Sequence, residues 1–191
     1  MNIRYLIISL KQTIYFFVRQ KKYDFVIYSP SYFVVEGKHL HFNSLINFFR
    51  KNNISFLYVE EPYKRNSKRS INAYYFDFIF FLIVFFRKII IDNNHISIDK
   101  KIARLLRPLI RFKCKNIITI SQSMISFFSE LDNDANIFDL QHGIIHKDKT
   151  SYLVDGNVSS NIIFNDEKVL LFSEKYKRIL VDNEKGNYYK D

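Results

Sequence analysis

The 191-residue sequence predicts an α/β fold, a parallel sheet with helices on both faces. Three observations carry that expectation. Short β-rich apolar runs recur along the chain, at 24–30, 54–62, 116–121 and from Asn136. Segments with apolar residues at helical spacing separate them. Turn signals close the runs, Ser29-Pro30 after the first and Pro62 after the second.

Taken in order, "MNIRYLIISLKQTIYFFVRQKK" reads as a helix, its apolar positions Tyr5, Leu6, Ile7, Ile8, Leu10, Ile14, Phe16 and Phe17 followed by Arg19, Lys21 and Lys22. Arg4, Lys11 and Gln12 interrupt it and no small-residue cleavage site follows, so it makes a poor signal peptide. It is expected to pack on the domain's own core, with an interfacial helix at a membrane as the alternative. "DFVIYSP" (24–30) is a buried strand, "HFNSLINFFRKNN" a helix stopped at Asn52-Asn53, and "ISFLYVEEP" (54–62) the next strand. The basic loop "YKRNSKRSIN" leads into "FDFIFFLIVFFRKIII" (76–91). Its uninterrupted apolar part, Phe78 to Phe86, is too short for a span of ~20 residues and predicts a buried helix with an exposed aromatic face as the second possibility.

Ile102, Leu105, Leu106, Leu109 and Ile110 give a helix over 98–112, kinked at Pro108. "NIITIS" (116–121) is a strand, "QSMISFFSEL" a helix, and "NIFDL" from Asn136 a further strand. Strands alternating with helices at this spacing make a Rossmann-like sheet with right-handed crossovers through about residue 145. Residues 146–191 are expected to be a linker and the start of an incomplete second domain, or a tail lying back on the first.

Composition excludes several classes. With 48% hydrophobic and 25% charged residues the chain is too apolar for disorder and too charged for a multi-span membrane protein. A net charge of +10 favours anionic partners without choosing among them. The lone Cys114 cannot form an intrachain disulfide, and no Cys/His metal spacing occurs, so a cytosolic setting fits best and no metal is expected. There is no G-x-G-x-x-G, Walker P-loop or G-x-S-x-G elbow, and no nucleic-acid recognition pattern.

The stretch "FDLQHGIIHKD" (138–148) places Gln141, His142 and Gly143 where a strand from Asn136 ends, the side of a parallel sheet at which ligands collect. Gly143 permits a sharp turn or a close backbone approach to a ligand. In "VVEGKHLHF", Glu36 and His39 follow the first strand and could line the same cleft, with a solvated helix entry as the plainer alternative. Glu60 and Glu61 end the second strand but, being adjacent, point to different sides.

"DLQHGIIH", then Tyr152 and "KVLLFSEKYKRIL" (168–180), resembles bacterial glycosyltransferases of the GT-B architecture that assemble capsule, lipopolysaccharide and related surface glycans. The resemblance extends from about Ile54 to Leu180, and Ser151 stands before Tyr152 where the family often has glycine. It implies transfer of a sugar from a nucleotide-activated donor to a glycan or lipid-linked acceptor, without a bound metal or other cofactor. Such a transfer needs a base for the acceptor hydroxyl and groups that meet the leaving phosphate. His142 is expected as the catalytic base or a phosphate contact, with Gln141, Gly143, His146 and Tyr152 as substrate-binding residues and Glu36 and His39 on the acceptor side. The plainer alternative is that His142 satisfies a strand-end carbonyl. A whole enzyme of this architecture has two facing domains, so the chain is expected to be the truncated or split acceptor-side half, completed by a second polypeptide. The alternative is a non-catalytic remnant, or a small α/β protein that binds an anionic ligand or a partner chain. Nucleic acid is not an expected partner. A lipid-linked acceptor would suit a cytoplasmic protein held peripherally at the inner face of the cell membrane, where anionic lipid attracts a basic surface.

Overall fold

A computed structural model describes residues 2–190 except 20, 64–68, 71, 93, 111, 121, 142 and 148. In chain order its elements are α1 (Ile3–Arg19), β1 (Lys22–Pro30), the hairpin β2 (Val34–Val35) and β3 (Lys38–His39), α2 (Asn43–Lys51), β4 (Phe56–Glu61), β5 (Tyr74–Tyr75) and α3 (Asp77–Ile89). Then come α4 (His95–Leu106), β6 (Lys113–Thr119), α5 (Ile125–Leu131), β7 (Asn136–Leu140), the hairpin β8 (Leu153–Val154) and β9 (Asn157–Val158), α6 (Ser160–Asn165), β10 (Glu167–Leu170) and α7 (Glu174–Asn183).

Six of the strands form one parallel sheet in the order β10-β7-β6-β1-β4-β5. Alternation along β1 explains why it takes helices on both faces: Val26 and Tyr28 enter one core with α3, α4 and α5, while Ile27 enters a second with α2. The expected α/β class and its strands are therefore present. The helix read over 98–112 instead begins at His95 and ends at Leu106, two residues ahead of Pro108. Its start is fixed by Asn94, whose side chain accepts the Ile96 N–H at 3.0 Å.

Beyond residue 145 the chain builds a small third core around Tyr152, Leu153, Ile162 and Leu180, yet its strand β10 joins the first sheet beside β7. The tail thus lies back on the first unit and supplies its edge strand.

At the opposite edge, α1 covers β5, which would otherwise present bare backbone. Gln12 does this by imitating a strand residue: its amide donates to the Ala73 carbonyl at 3.1 Å and accepts the Tyr75 N–H at 2.9 Å. Ser9 accepts the Phe78 N–H at 2.9 Å, satisfying an orphan donor at the start of α3, and Thr13 meets the Tyr74 hydroxyl at 2.7 Å. Of the residues that interrupt the apolar run of α1, Arg4 and Lys11 are exposed, and Gln12 is turned inward with Ser9 and Thr13.

Arg69 closes this corner. Its guanidinium pairs with the buried carboxylates of Glu60 and Asp77, donates to the Glu60 carbonyl at 3.0 Å, and lies about 5 Å from the rings of both Tyr5 and Tyr75. Glu60 also accepts the Ser70 N–H at 3.1 Å, whereas Glu61 accepts from the Tyr28 hydroxyl at 2.7 Å. The two adjacent glutamates face opposite sides of the sheet and share no site.

Candidate functional site

From β1 the chain moves outward to β4 and β5, then returns to the other side of β1 for β6, β7 and β10. The reversal places the switch point between β1 and β6, so the carboxyl ends of these strands and their neighbours are the ligand-binding address of such a sheet. A cleft of about 780 Å³ is bordered by Lys22 and Lys113 at the amino ends and lies on the wrong side.

The Gln141 turn is at the right end. Gln141 is buried and holds the turn from within: its amide donates to the Gly143 carbonyl at 2.7 Å and accepts the Phe172 N–H at 3.1 Å, while its own N–H bonds the Leu170 carbonyl at 3.0 Å. The side chain therefore ties the end of β7 to the end of β10. His142, the expected base, lies outside the described residues. Gly143 is exposed, its φ is not left-handed, and a Cβ there would meet nothing within 4 Å. The fold does not itself require glycine at this turn. His146 is exposed, and its carbonyl accepts the Lys149 N–H at 3.0 Å.

Tyr152 is buried beneath the turn, its hydroxyl donating to Asp139 at 3.1 Å; Gln122 donates to the same carboxylate oxygen at 3.1 Å. Asp139 had not been singled out in the sequence, although an acid inside the strand "NIFDL" is a visible signal. Its neighbour Glu167, on β10, is fully buried as well. Among the described residues neither Glu167 oxygen has a hydrogen-bond partner, nor has the second oxygen of Asp139. Burial pushes the Glu167 carboxyl up to about 8, with the charge of Asp139 adding to the effect. Burial likewise pushes Asp139 up to about 6, against the two hydrogen bonds it accepts. At neutral pH Glu167 keeps its proton, and the pair carries one negative charge below the turn.

Two further expected residues lie elsewhere at the same end of the sheet. Glu36 and Gly37 form the two-residue tip of the β2–β3 hairpin with φ of 49° and 78°, the backbone that a tight turn of this handedness requires. Glu36 is exposed there. His39 is buried, and its Nδ1 accepts the N–H groups of His41 and Phe42 at 3.1 and 3.0 Å. A ring nitrogen that accepts two donors has no proton, so the hydrogen resides on Nε2 and is directed at the Ser29 hydroxyl, 2.5 Å away. The pair resembles a nucleophile and its base, but the lone pair points the wrong way. Burial also pushes His39 down to about 3, which keeps the ring neutral. Its work is to fasten the hairpin to β1 and to bind N–H groups at the entry to α2, where Phe42 offers no side-chain cap.

Glu36 and His39 do line a common cleft of about 650 Å³, together with Asn43, Arg50, Tyr58 and Ser70. The buried Tyr58 hydroxyl lies near Ser70 and Glu60. None of the described residues from 141 to 152 borders this cleft. Strands β1 and β7 are two places apart in the sheet, ~10 Å at the usual strand spacing. The seven expected residues are thus divided: Gln141, Gly143 and Tyr152 around one turn, Glu36 and His39 in a separate cleft, His146 exposed beyond the turn, and His142 undescribed.

Comparison of the chain with protein-family models, with curated proteins and with solved structures found no match. Among the described residues, no group of three or more His, Cys, Asp or Glu side chains comes together in a way that could hold a metal ion. No helix among them is long and apolar enough to cross a membrane.

Proposed function

We propose that the chain is the acceptor-side part of a GT-B-type glycosyltransferase, moving a sugar from a nucleotide-activated donor to a bacterial surface glycan. One observation carries the proposal: in the "LQHG" segment that resembles this family, Leu140 ends β7 and Gln141 and Gly143 follow at its carboxyl end, in a parallel sheet whose ligand address is that end. The turn is built to hold a shape, since Gln141 spans from the Gly143 carbonyl to the Phe172 N–H and Tyr152 braces it through Asp139.

Sugar transfer needs a base for the acceptor hydroxyl and groups that meet the leaving phosphate. In this proposal His142 is the base, and Gly143 and His146 are the groups beside it. Gln141 and Tyr152 act through the turn, as positioning residues. The Glu36–His39 cleft, with Arg50 and Tyr58, is the acceptor-side surface; His39 shapes it without taking a proton.

The test is acceptor-dependent release of nucleoside phosphate from a panel of nucleotide sugars, with lipid-linked glycans as acceptors. The chain is assayed alone and with the products of neighbouring genes. Release that falls by a factor on the order of 10² or more in His142→Ala, with the fold intact, is the expected result. No acceptor-dependent release in any combination, or full turnover in the variant, overturns the proposal.

A further inference from the structure

Helix α1 has apolar residues on both sides. Its inward side packs Tyr5, Ile8 and Phe16 on the two cores and carries Ser9, Gln12 and Thr13, each consumed in bonds to β5, α3 or the helix itself. Ile3, Ile7, Leu10, Ile14 and Val18, spaced by three or four residues, fall on one face and are all exposed, Ile3 and Val18 by more than 70%. Helix α3 packs against α1 and repeats the pattern: Ile79 and Ile83 are buried, while Phe81, Val84, Phe85 and Ile89 are exposed. Scattered apolar residues on a surface are ordinary, but two adjoining helices that each present an apolar stripe are not.

Charge identifies what covers them. Residues 1–23 contain Arg4, Lys11, Arg19, Lys21 and Lys22 and no acidic residue. Residues 78–91 contain Arg87 and Lys88 and again no acid; Asp77 ahead of them is buried with Arg69, and Arg87 is paired with Asp99 at 2.7 Å, so Lys88 is the charge this helix adds. A polypeptide partner would need an acidic rim around an apolar centre, whereas an anionic bilayer surface supplies both over its whole area. We propose that the outward faces of α1 and α3 form a docking surface for an anionic lipid bilayer, with the apolar stripes entering the headgroup boundary and the flanking Lys and Arg meeting lipid phosphate. The helices lie on the membrane and do not cross it, in keeping with their lengths of 17 and 13 residues. The inference stands apart from the proposed activity, and its test reads no turnover.

The whole chain is floated with phosphatidylcholine vesicles with and without phosphatidylglycerol, at low and high salt. The variants are Ile7→Asn/Ile14→Asn, Phe81→Asn/Phe85→Asn and Lys11→Glu/Lys22→Glu, each checked for unchanged thermal unfolding, and analytical ultracentrifugation reports association of the free protein. Binding to phosphatidylglycerol vesicles at low salt, weakened by at least about tenfold in high salt and in the variants that retain the wild-type unfolding profile, is the expected result. Absence of binding at low salt, equal binding to neutral vesicles, or binding unchanged in the folded variants overturns it. So does a stable dimer that the Ile7/Ile14 variant dissociates, because a second copy would then cover the face.

Discussion

Replacing Glu167 by glutamine should stabilise the protein at mildly alkaline pH and flatten its pH dependence. The folded protein holds a proton on Glu167 up to about 8, whereas the unfolded chain releases it near the ordinary 4.5. Between those values the folded state binds more protons, so stability falls as pH rises, and the contribution is complete only below 4.5. Across the whole interval this amounts to roughly 5 kcal/mol at most, at about 1.36 kcal/mol per pH unit. Two other buried groups complicate the acid side. Asp139, at about 6, also loses stability with rising pH from its ordinary 3.8 up to that point. His39, lowered to about 3, does the opposite: the unfolded ring takes up a proton below 6.5 while the folded one does not, so stability there rises with pH. Both are still titrating at pH 6.5, but wild type and the Glu167 variant share them, so the difference between the two isolates Glu167, which contributes a fall of about 2 kcal/mol from pH 6.5 to 8. Urea unfolding of wild type and Glu167→Gln at several values from pH 6.5 to 8 measures it directly. The difference between the curves should widen steadily toward pH 8. Parallel curves, or a wild type that gains stability relative to the variant, would show that Glu167 is ionised in the fold and refute the reasoning.

Three further substitutions test the supports of the sheet end. Gln12→Leu should cost about 1–3 kcal/mol in urea unfolding, because the Tyr75 N–H and the Ala73 carbonyl lose their partner at the sheet edge. Arg69→Met should cost about 3–5 kcal/mol or prevent folding, as it strands the buried carboxylates of Glu60 and Asp77; the additional change Glu60→Gln should recover part of the loss in a double-mutant cycle. His39→Ala at neutral pH should lower stability by about 1–3 kcal/mol through the freed N–H groups of His41 and Phe42, and should abolish the contribution lost on acidification below 6.5.

Apolar periodicity and turn residues determined the α/β class and most strand positions, since a strand such as "DFVIYSP" buried on both faces can be recognised from its own residues. The location of the "LQHG" turn at a strand's carboxyl end was equally local information. Pairing was not. That β10 closes the sheet beside β7 depends on the Gln141 bridge and on contacts across some thirty residues of chain, which no pattern within either segment records. The same holds for chemical roles. Ser29 and His39 look like a reactive pair until the N–H groups of His41 and Phe42 fix which ring nitrogen has the proton. Asp139 and Glu167 look like ordinary acids until adjacent strands bury them together without a cation. In α1 the sequence showed an apolar helix interrupted by Gln12, but only the edge strand β5 decided which side faced inward. An unpaired backbone edge is satisfied by polar side chains, so Ser9, Gln12 and Thr13 turned toward the protein beside Phe16, and Ile3, Ile7 and Ile14 were left outside.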